Sequence, residues 1–572
     1  MHNKRLHKLE LTWVGKYDEK PALEPRILIE NPEYSYGDGD TGNMLIHGDN
    51  LLALKALEQE YVGKVKCIYI DPPYNTGNAF EYYDDGLEHS IWLGLMYDRI
   101  QVLHNLLAED GAFCMHLDDC EVHYAKVICD EIFGRSNFIA TVAIRSSTPS
   151  GVKTAHKNKK LIKQKDLMLV YKKSDKLIIN PQYVRKVSYD THFNFFADKE
   201  HGIVIPLLQV LIEHGVLKKG DRLSDIDINN PRHRDFLIKH ADNICQTQSF
   251  KNEEIKEASR AFVDRIYFVN KGENNETMFY NGRQLTPMRN SLNPVLHGDT
   301  ISEELSVLLC DFWEDVDFQN TQHEGGVGFP NSKKPEFLIY RILSLFTHIG
   351  DLVLDSFLGS GTTAAVAHKM ARRYIGVELG DHAYSLCQKR LVNVASGNDD
   401  RGISKALNWQ GGGGFKFYEL APSLLKEDKF GNLVINKEYN ADMLAAAMAK
   451  QEGFTYSPDA DTYWKQGYSS ETDFIYTTTQ FMTAEGLSAI HETMGEDESL
   501  LICCTSFQRE CRSAFPNITI KKIPQMLLGR CEFGKEDYSL NIIDMPQIED
   551  FDEDLEEVDN VQGGQSDDMT LF

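Results

Sequence analysis

Asp351-Leu352-Val353-Leu354-Asp355-Ser356-Phe357-Leu358-Gly359-Ser360-Gly361-Thr362-Thr363-Ala364 decides how this chain folds. The apolar run up to Asp355 predicts a buried strand, and the residues after it open a helix predicted over Gly361–Met370. Gly359 and Gly361 remove side chains where the backbone must turn tightly and approach a ligand. Ala364 permits close packing of helix on strand. A second predicted strand, Tyr374–Glu378, ends on an acid 23 residues after Asp355, placed to accept hydrogen bonds from ribose hydroxyls. This G-x-G-x-x-A form of the nucleoside-binding βαβ fingerprint fits either a dinucleotide or S-adenosylmethionine. A nucleoside triphosphate fits poorly, because no Lys follows the glycines as a P-loop requires.

Working outward, Glu336–Phe346 carries helical spacing. Far upstream, Val65–Ile70 is an apolar run stopped by Asp71-Pro72-Pro73, the pattern of a parallel strand covered on both faces. A helix is predicted around Leu87–Leu107 with Gly111 as its stop signal, then a strand at Ala112–Leu117, then a helix capped by Asp118 and running to about Phe133. Strands alternating with helices predict an α/β, Rossmann-like parallel sheet. The rhythm lapses after Thr141 and returns near Gln322, so the expectation is one α/β domain interrupted by a large insert. The expected units are a 1–40 extension, catalytic parts 41–140 and 323–420, an insert 141–322, an α+β region 421–544 and a tail 545–572. Gly411–Gly414 reads as the hinge closing the α/β domain.

The chain has 572 residues, 42% of them hydrophobic, enough for several cores and too ordered a composition for general disorder. No stretch approaches the run of about 18 apolar residues needed to span a membrane, and the first residues carry no secretory signal. Eleven scattered cysteines without metal-ligand spacing fit reduced thiols and no metal site, and the expected location is the cytoplasm of a bacterial or archaeal cell. A net charge of −26 argues against a nucleic-acid partner if taken whole. It is unevenly spread. Eleven acids and no Lys or Arg lie in Asp544–Phe572, whereas Thr141–Asn180 holds ten Lys+Arg against two acids. The tail reads as disordered.

Asp71-Pro72-Pro73-Tyr74 at a strand's carboxyl end selects the chemistry. The lone pair of an exocyclic base amine is delocalised into the ring. A carboxylate oxygen of Asp71 and the carbonyl of Pro72 accepting its two N–H groups would draw the nitrogen toward tetrahedral geometry and free that pair. Proline holds its carbonyl rigidly, and Tyr74 offers a face for stacking the base. The amine then attacks the sulfonium methyl of S-adenosylmethionine, with no metal and no covalent intermediate.

Asp71-Pro72-Pro73-Tyr74 paired with Phe357-Leu358-Gly359-Ser360-Gly361 resembles the amino-group DNA methyltransferases, in the Asp-first form typical of adenine-N6 enzymes and the motif order of the β class. Leu45-Ile46-His47-Gly48-Asp49-Asn50-Leu51 and Phe329-Pro330-Asn331-Ser332-Lys333-Lys334-Pro335-Glu336 are similar to the modification (Mod) subunits of type III restriction–modification systems. That resemblance covers about residues 40–420. It implies that Asp355, Phe357, Gly359 and Gly361 line the methionine and ribose end of the cofactor and that Glu378 holds the ribose. Gly48 and Asp49 would lie near the adenine, unless they are a loop preceding a helix. Ser332, Lys333 and Pro335 would lie near the methionine carboxylate, unless the lysines are a solvated helix start.

A base in a duplex must flip to reach such a site. The insert would then grip DNA through its basic opening, with Arg145, Lys153, Lys157 and Lys160 as candidate contacts and Phe193, Phe195 and Phe196 as braces. The implied partners are double-stranded DNA, a second copy of the chain and a separate ATP-dependent restriction subunit, since no P-loop or nuclease constellation is present here. Competing readings are a solitary adenine or cytosine-N4 methyltransferase, a non-catalytic nucleotide-binding subunit, and methylation of RNA or of protein glutamine. Glutamine methylators usually carry Asn where this chain has Asp71.

Overall fold

Leu352–Asp355, the strand before the glycines, lies in the middle of a wide mixed sheet. The computed structural model describes residues 10–73, 85–148, 158, 161–270, 276–319, 321–328 and 333–538. From edge to edge the sheet runs Leu28–Glu30, Gly414–Leu420, Met44–His47, Arg373–Glu378, Leu352–Asp355, Val65–Ile70, Leu107–Leu117, Lys165–Lys172, Phe138–Arg145 and Phe312–Trp313. The six strands from Gly414–Leu420 to Leu107–Leu117 are parallel, and Lys165–Lys172 is antiparallel to both of its neighbours.

The apolar strands lack alternation because both faces are covered. Cys67 and Tyr69 face the core under helices Glu336–Phe346, Thr362–Lys369 and Lys389–Ser396; Ile68 and Ile70 face the core under Asn50–Tyr61, Asp85–Leu106 and Val122–Cys129. Leu352–Asp355 and Val65–Ile70 are neighbours, paired Val353 to Cys67 and Leu354 to Ile68. From this pair the chain winds away in opposite directions, toward Arg373–Glu378 on one side and Leu107–Leu117 on the other. That is the switch point where open α/β sheets form their ligand crevice.

Several boundaries differ from the sequence expectation. Gly111 lies inside the strand Leu107–Leu117, and helix Asp85–Leu106 runs straight into that strand without a glycine stop. Asp118 accepts the Cys120 N–H at 2.9 Å in a tight turn, and Glu121 stands at the N-cap of the next helix, Val122–Cys129. Gly411–Gly413, all at positive φ, lead into a further sheet strand, Gly414–Leu420, and so do not hinge the chain out of the domain. Phe138–Arg145 and Lys165–Lys172 belong to the central sheet, so the chain leaves it well after residue 141.

Residues Tyr183–Leu308 form two smaller antiparallel sheets, one of six strands and one of three. Phe193 is only 2% exposed in a core with Tyr189, Leu207 and Leu211, and therefore cannot brace DNA; Phe195 and Phe196 also pack against the cores of this unit. The C-terminal region builds a five-stranded sheet from Thr455 to Lys522, with Asp473–Met482, Ser499–Phe507 and Ile518–Lys522 parallel. Its last described residues return to the side of the central sheet, where Tyr538 N–H donates to Asp49 at 3.1 Å. No described helix is long and apolar enough to cross a membrane, and all eleven cysteines are free thiols.

Candidate active site

Because Leu352–Asp355 and Val65–Ile70 are parallel neighbours, Asp71 and the turn Ser356–Gly361 emerge side by side at the sheet's carboxyl edge. The turn is built from its own acids. Asp355 accepts the Phe357 N–H at 2.9 Å and the Thr363 hydroxyl at 2.6 Å, while Glu378 accepts the Gly359 N–H at 2.7 Å. Gly359 and Gly361 take φ of +58° and +81°, and no atom lies within 4 Å of where a Cβ on Gly359 would stand. The turn thus leaves open space above a glycine backbone, the cradle a nucleoside cofactor needs.

Gly359→Val tests that space. The new Cβ would have no protein atom within 4 Å and the side chain would extend into the cradle, and its left-handed φ costs about 1–3 kcal/mol. We expect the variant to stay folded and to bind S-adenosylmethionine about 100-fold more weakly, or about 2.7 kcal/mol by titration calorimetry. Affinity within threefold of wild type would remove the turn from the cofactor site.

Asp355 is buried, and that burial pushes its carboxyl up to about 7, with Asp71 and Glu378 adding to the rise against the hydrogen bonds from Thr363 and Phe357. A carboxyl raised in the fold binds more protons folded than unfolded between its ordinary value of about 4 and its folded value. Its contribution to stability therefore falls as pH rises through that window. In Asp355→Asn the isosteric amide removes this dependence. The variant's melting temperature relative to wild type should climb between pH 5 and pH 8; a flat difference would contradict the assignment.

The cofactor candidates divide. Glu378 also accepts the Leu379 N–H at 2.9 Å and pairs with His382 at 3.0 Å, which raises the imidazole. Phe357 is half-buried at the turn. Asp49 caps helix Asn50–Tyr61 through the Leu52 N–H at 3.0 Å and meets Arg99 at 3.4 Å, so its carboxylate is committed to the fold. Burial raises Asp49, opposed by Arg99. Gly48 stands at φ +147° against Leu420. Pro335 is the buried N-cap residue of Glu336–Phe346. Lys333 is 5% exposed and donates to the carbonyls of Glu324 and Val327, the latter at 2.8 Å, so it is neither solvated nor directed outward. Burial, with Arg390 next, lowers its ammonium to about 8. Tyr74, Lys153, Lys157, Lys160 and Ser332 lie outside the described residues.

Asp71 is partly buried, and Lys334 reaches its Oδ2 at 2.5 Å. The buried Trp92 indole donates to the Pro73 carbonyl at 3.1 Å and so fixes the turn after Asp71. Asn50 donates to the Ser356 carbonyl at 2.8 Å, tying helix Asn50–Tyr61 to the glycine turn. None of the roles of Trp92, Lys334 and Asn50 was assigned from the sequence. Asn50 and Lys334 do lie within quoted motifs, where Lys334 was read only as part of a possible solvated helix start, while Trp92 reads as an ordinary apolar position of a helix.

Under the turn lies a cluster of charges without solvent exposure. Lys369 meets Glu336 at 2.7 Å and Asp399 at 2.6 Å, and Arg390 meets Glu336 at 2.7 Å. Arg390 also donates to Thr362 Oγ1 at 2.7 Å, which links the cluster to the glycine turn. Burial alone would raise Glu336, but Lys369 and Arg390 hold it below the usual carboxylate range.

The connection between Arg145 and Lys165 leaves from the same edge as Asp71, since Arg145 pairs with Lys165, Leu117 with Leu167 and Ile70 with Met115. Its positive charge is partly spent within the fold. Lys163 meets Asp166 at 3.0 Å and Lys165 meets Asp119 at 2.6 Å. Arg145 is exposed at the strand end.

The chain matches the N6_N4_Mtase family, described as DNA methylase, over residues 65–389, more than half its length, and it belongs to that family. It is 35% identical over 409 residues to the probable type III restriction-modification enzyme HindVI Mod subunit of Haemophilus influenzae, covering 66% of this chain and 54% of that one. The chain thus spans about half the length of that relative. It is 24% identical to the type III restriction-modification enzyme EcoP15I Mod subunit of Escherichia coli, over 85% of this chain and 84% of that one. PvuII DNA methyltransferase (cytosine-N4-specific), a solved structure, is matched at 14% identity over 68% of this chain and 98% of that one, with a TM-score of 0.31.

Proposed function

We propose that this chain transfers a methyl group from S-adenosylmethionine to N6 of a flipped adenine in duplex DNA, as the modification subunit of a type III restriction–modification system in the cytoplasm of a bacterial cell. The observation that carries the reading is the pairing of Leu352–Asp355 with Val65–Ile70, which sets an open glycine cradle beside Asp71. S-adenosylmethionine, when bound, supplies a methyl on a sulfonium. Asp71 accepts an N–H of the incoming amine, so the lone pair is available to form the N–C bond as the C–S bond breaks, and one amine proton leaves to solvent. Trp92 holds the Pro73 carbonyl while this occurs. Phe357, Gly359, Gly361 and Glu378 would hold the cofactor, and Asp355 would hold the turn that carries them.

The edge on which Asp71 opens also releases the Arg145–Lys165 connection, and that supports DNA contact by Arg145, Lys153, Lys157 and Lys160. The partners on this reading are double-stranded DNA, a second copy of the chain and a separate ATP-dependent restriction subunit. The test is incubation of the chain with labelled S-adenosylmethionine and duplex DNA, RNA or protein extract, followed by nucleoside analysis. N6-methyladenine in the duplex alone is the expected product. Methyl transfer to none of them, or only to RNA or protein, would overturn the proposal, and N4-methylcytosine would overturn its adenine assignment.

A further inference from the structure

Lys334 stands where a methyl acceptor has to bind. Its Nζ lies 2.5 Å from Asp71 Oδ2, and the two side chains are 12% and 19% exposed. An ammonium presents N–H donors to a carboxylate as an exocyclic amine does, so the pair occupies the hydrogen-bonding position that the target base needs. The two occupants are not electrostatically equivalent. The amine nitrogen gains positive charge as it attacks the methyl, and a fixed ammonium on the same oxygen would oppose that charge.

The surrounding chain lets the side chain, and not the backbone, change place. Lys333 is anchored beneath by the carbonyls of Glu324 and Val327, and Pro335 begins helix Glu336–Phe346. Between these two fixed neighbours Lys334 carries a flexible four-carbon stem that can swing through several ångströms. A flipped nucleotide brings an amine that needs Asp71 and phosphates that need a cation.

Resting on the reading of the chain as a DNA methyltransferase, we propose that Lys334 is a placeholder cation and positioning residue. It holds the Asp71 carboxylate in place before DNA binds, then passes to a phosphate of the flipped nucleotide as the base amine takes Asp71. In both states the Asp71 carboxylate keeps an N–H donor and the Lys334 ammonium keeps an anion.

The experiment measures DNA affinity against salt for wild type, Lys334→Met and Lys334→Arg, with S-adenosylmethionine binding as the check on folding. Loss of one phosphate contact lowers the slope of log affinity against log salt by about 1. We expect that loss in Lys334→Met, a DNA affinity about 10-fold weaker at physiological salt, and retention of the wild-type slope in Lys334→Arg. A second measurement uses wild type alone, on duplexes with one neutral methylphosphonate placed in turn beside the target adenine. One position should lower the slope by about 1, and the same position should cost Lys334→Met nothing further. Equal slopes for wild type and Lys334→Met, or no methylphosphonate position that lowers the wild-type slope, would overturn the inference. Wild-type protein that methylates no DNA would instead overturn the reading on which it rests.

Discussion

Asp71→Ala should lower the rate of methyl transfer to DNA about 10²–10⁴-fold while leaving S-adenosylmethionine affinity within threefold of wild type. The split follows from the structure. The proposed cofactor turn is held by hydrogen bonds with Asp355, Glu378 and Asn50, none of which has Asp71 as a partner. Asp71 stands on the neighbouring strand, facing Lys334. Its removal deprives the amine of its carboxylate acceptor and leaves the cofactor's contacts in place. Asp71→Asn, which keeps one acceptor oxygen but no charge, should fall between. Single-turnover labelling of duplex DNA with parallel calorimetry reads both quantities. An alanine variant retaining more than a tenth of the wild-type rate would show that the amine is activated elsewhere.

The second large effect concerns stability. Lys369→Met should destabilise the catalytic unit by about 3–5 kcal/mol, because it strips a cation from Glu336 and Asp399 in a site without solvent. At about 2–4 °C per kcal/mol, the melting transition should drop by about 6–20 °C. Lys176→Met is the control, since Lys176 and Glu109 meet at 3.9 Å on the surface, where such pairs contribute little. A shift of less than about 2 °C in Lys369→Met would mean that the buried charges relax on their own. The cluster's reach to Thr362 through Arg390 adds a consequence: the destabilised variant should also bind cofactor more weakly.

Much of the fold could be read from short segments. The helix Glu336–Phe346 forms at its predicted bounds, and the strands at Leu352–Asp355 and Val65–Ile70 and the helix after Gly361 follow their local patterns within a residue or two. These segments are apolar on every side that the sheet buries, so their own composition dictates their state. Gly111 misleads for the converse reason. A glycine stops an isolated helix, yet here pairing with Val65–Ile70 and Lys165–Lys172 draws it into a strand.

The charged residues were the least legible. Thr141–Asn180 is strongly positive as a string, but Asp166 and Asp119 reach Lys163 and Lys165 in space. Lys333 and Lys334 are adjacent and chemically the same, yet one is sealed under a loop and the other meets Asp71. Phe193 resembled a DNA brace only until Leu207 and Leu211 closed around it.

By itself, then, the sequence determined the residues of the proposed site: an Asp and two prolines after one strand, a glycine turn after another, and an acid at the end of a third. Each is a local arrangement whose geometry depends on its immediate neighbours. Only the tertiary structure decided which strands adjoin, that Asp355 and Asp49 serve the fold, and which lysine stands on Asp71. The physical reason is range. Backbone conformation is set within a few residues, whereas the partner of a charge is whatever the fold brings within about 4 Å of it.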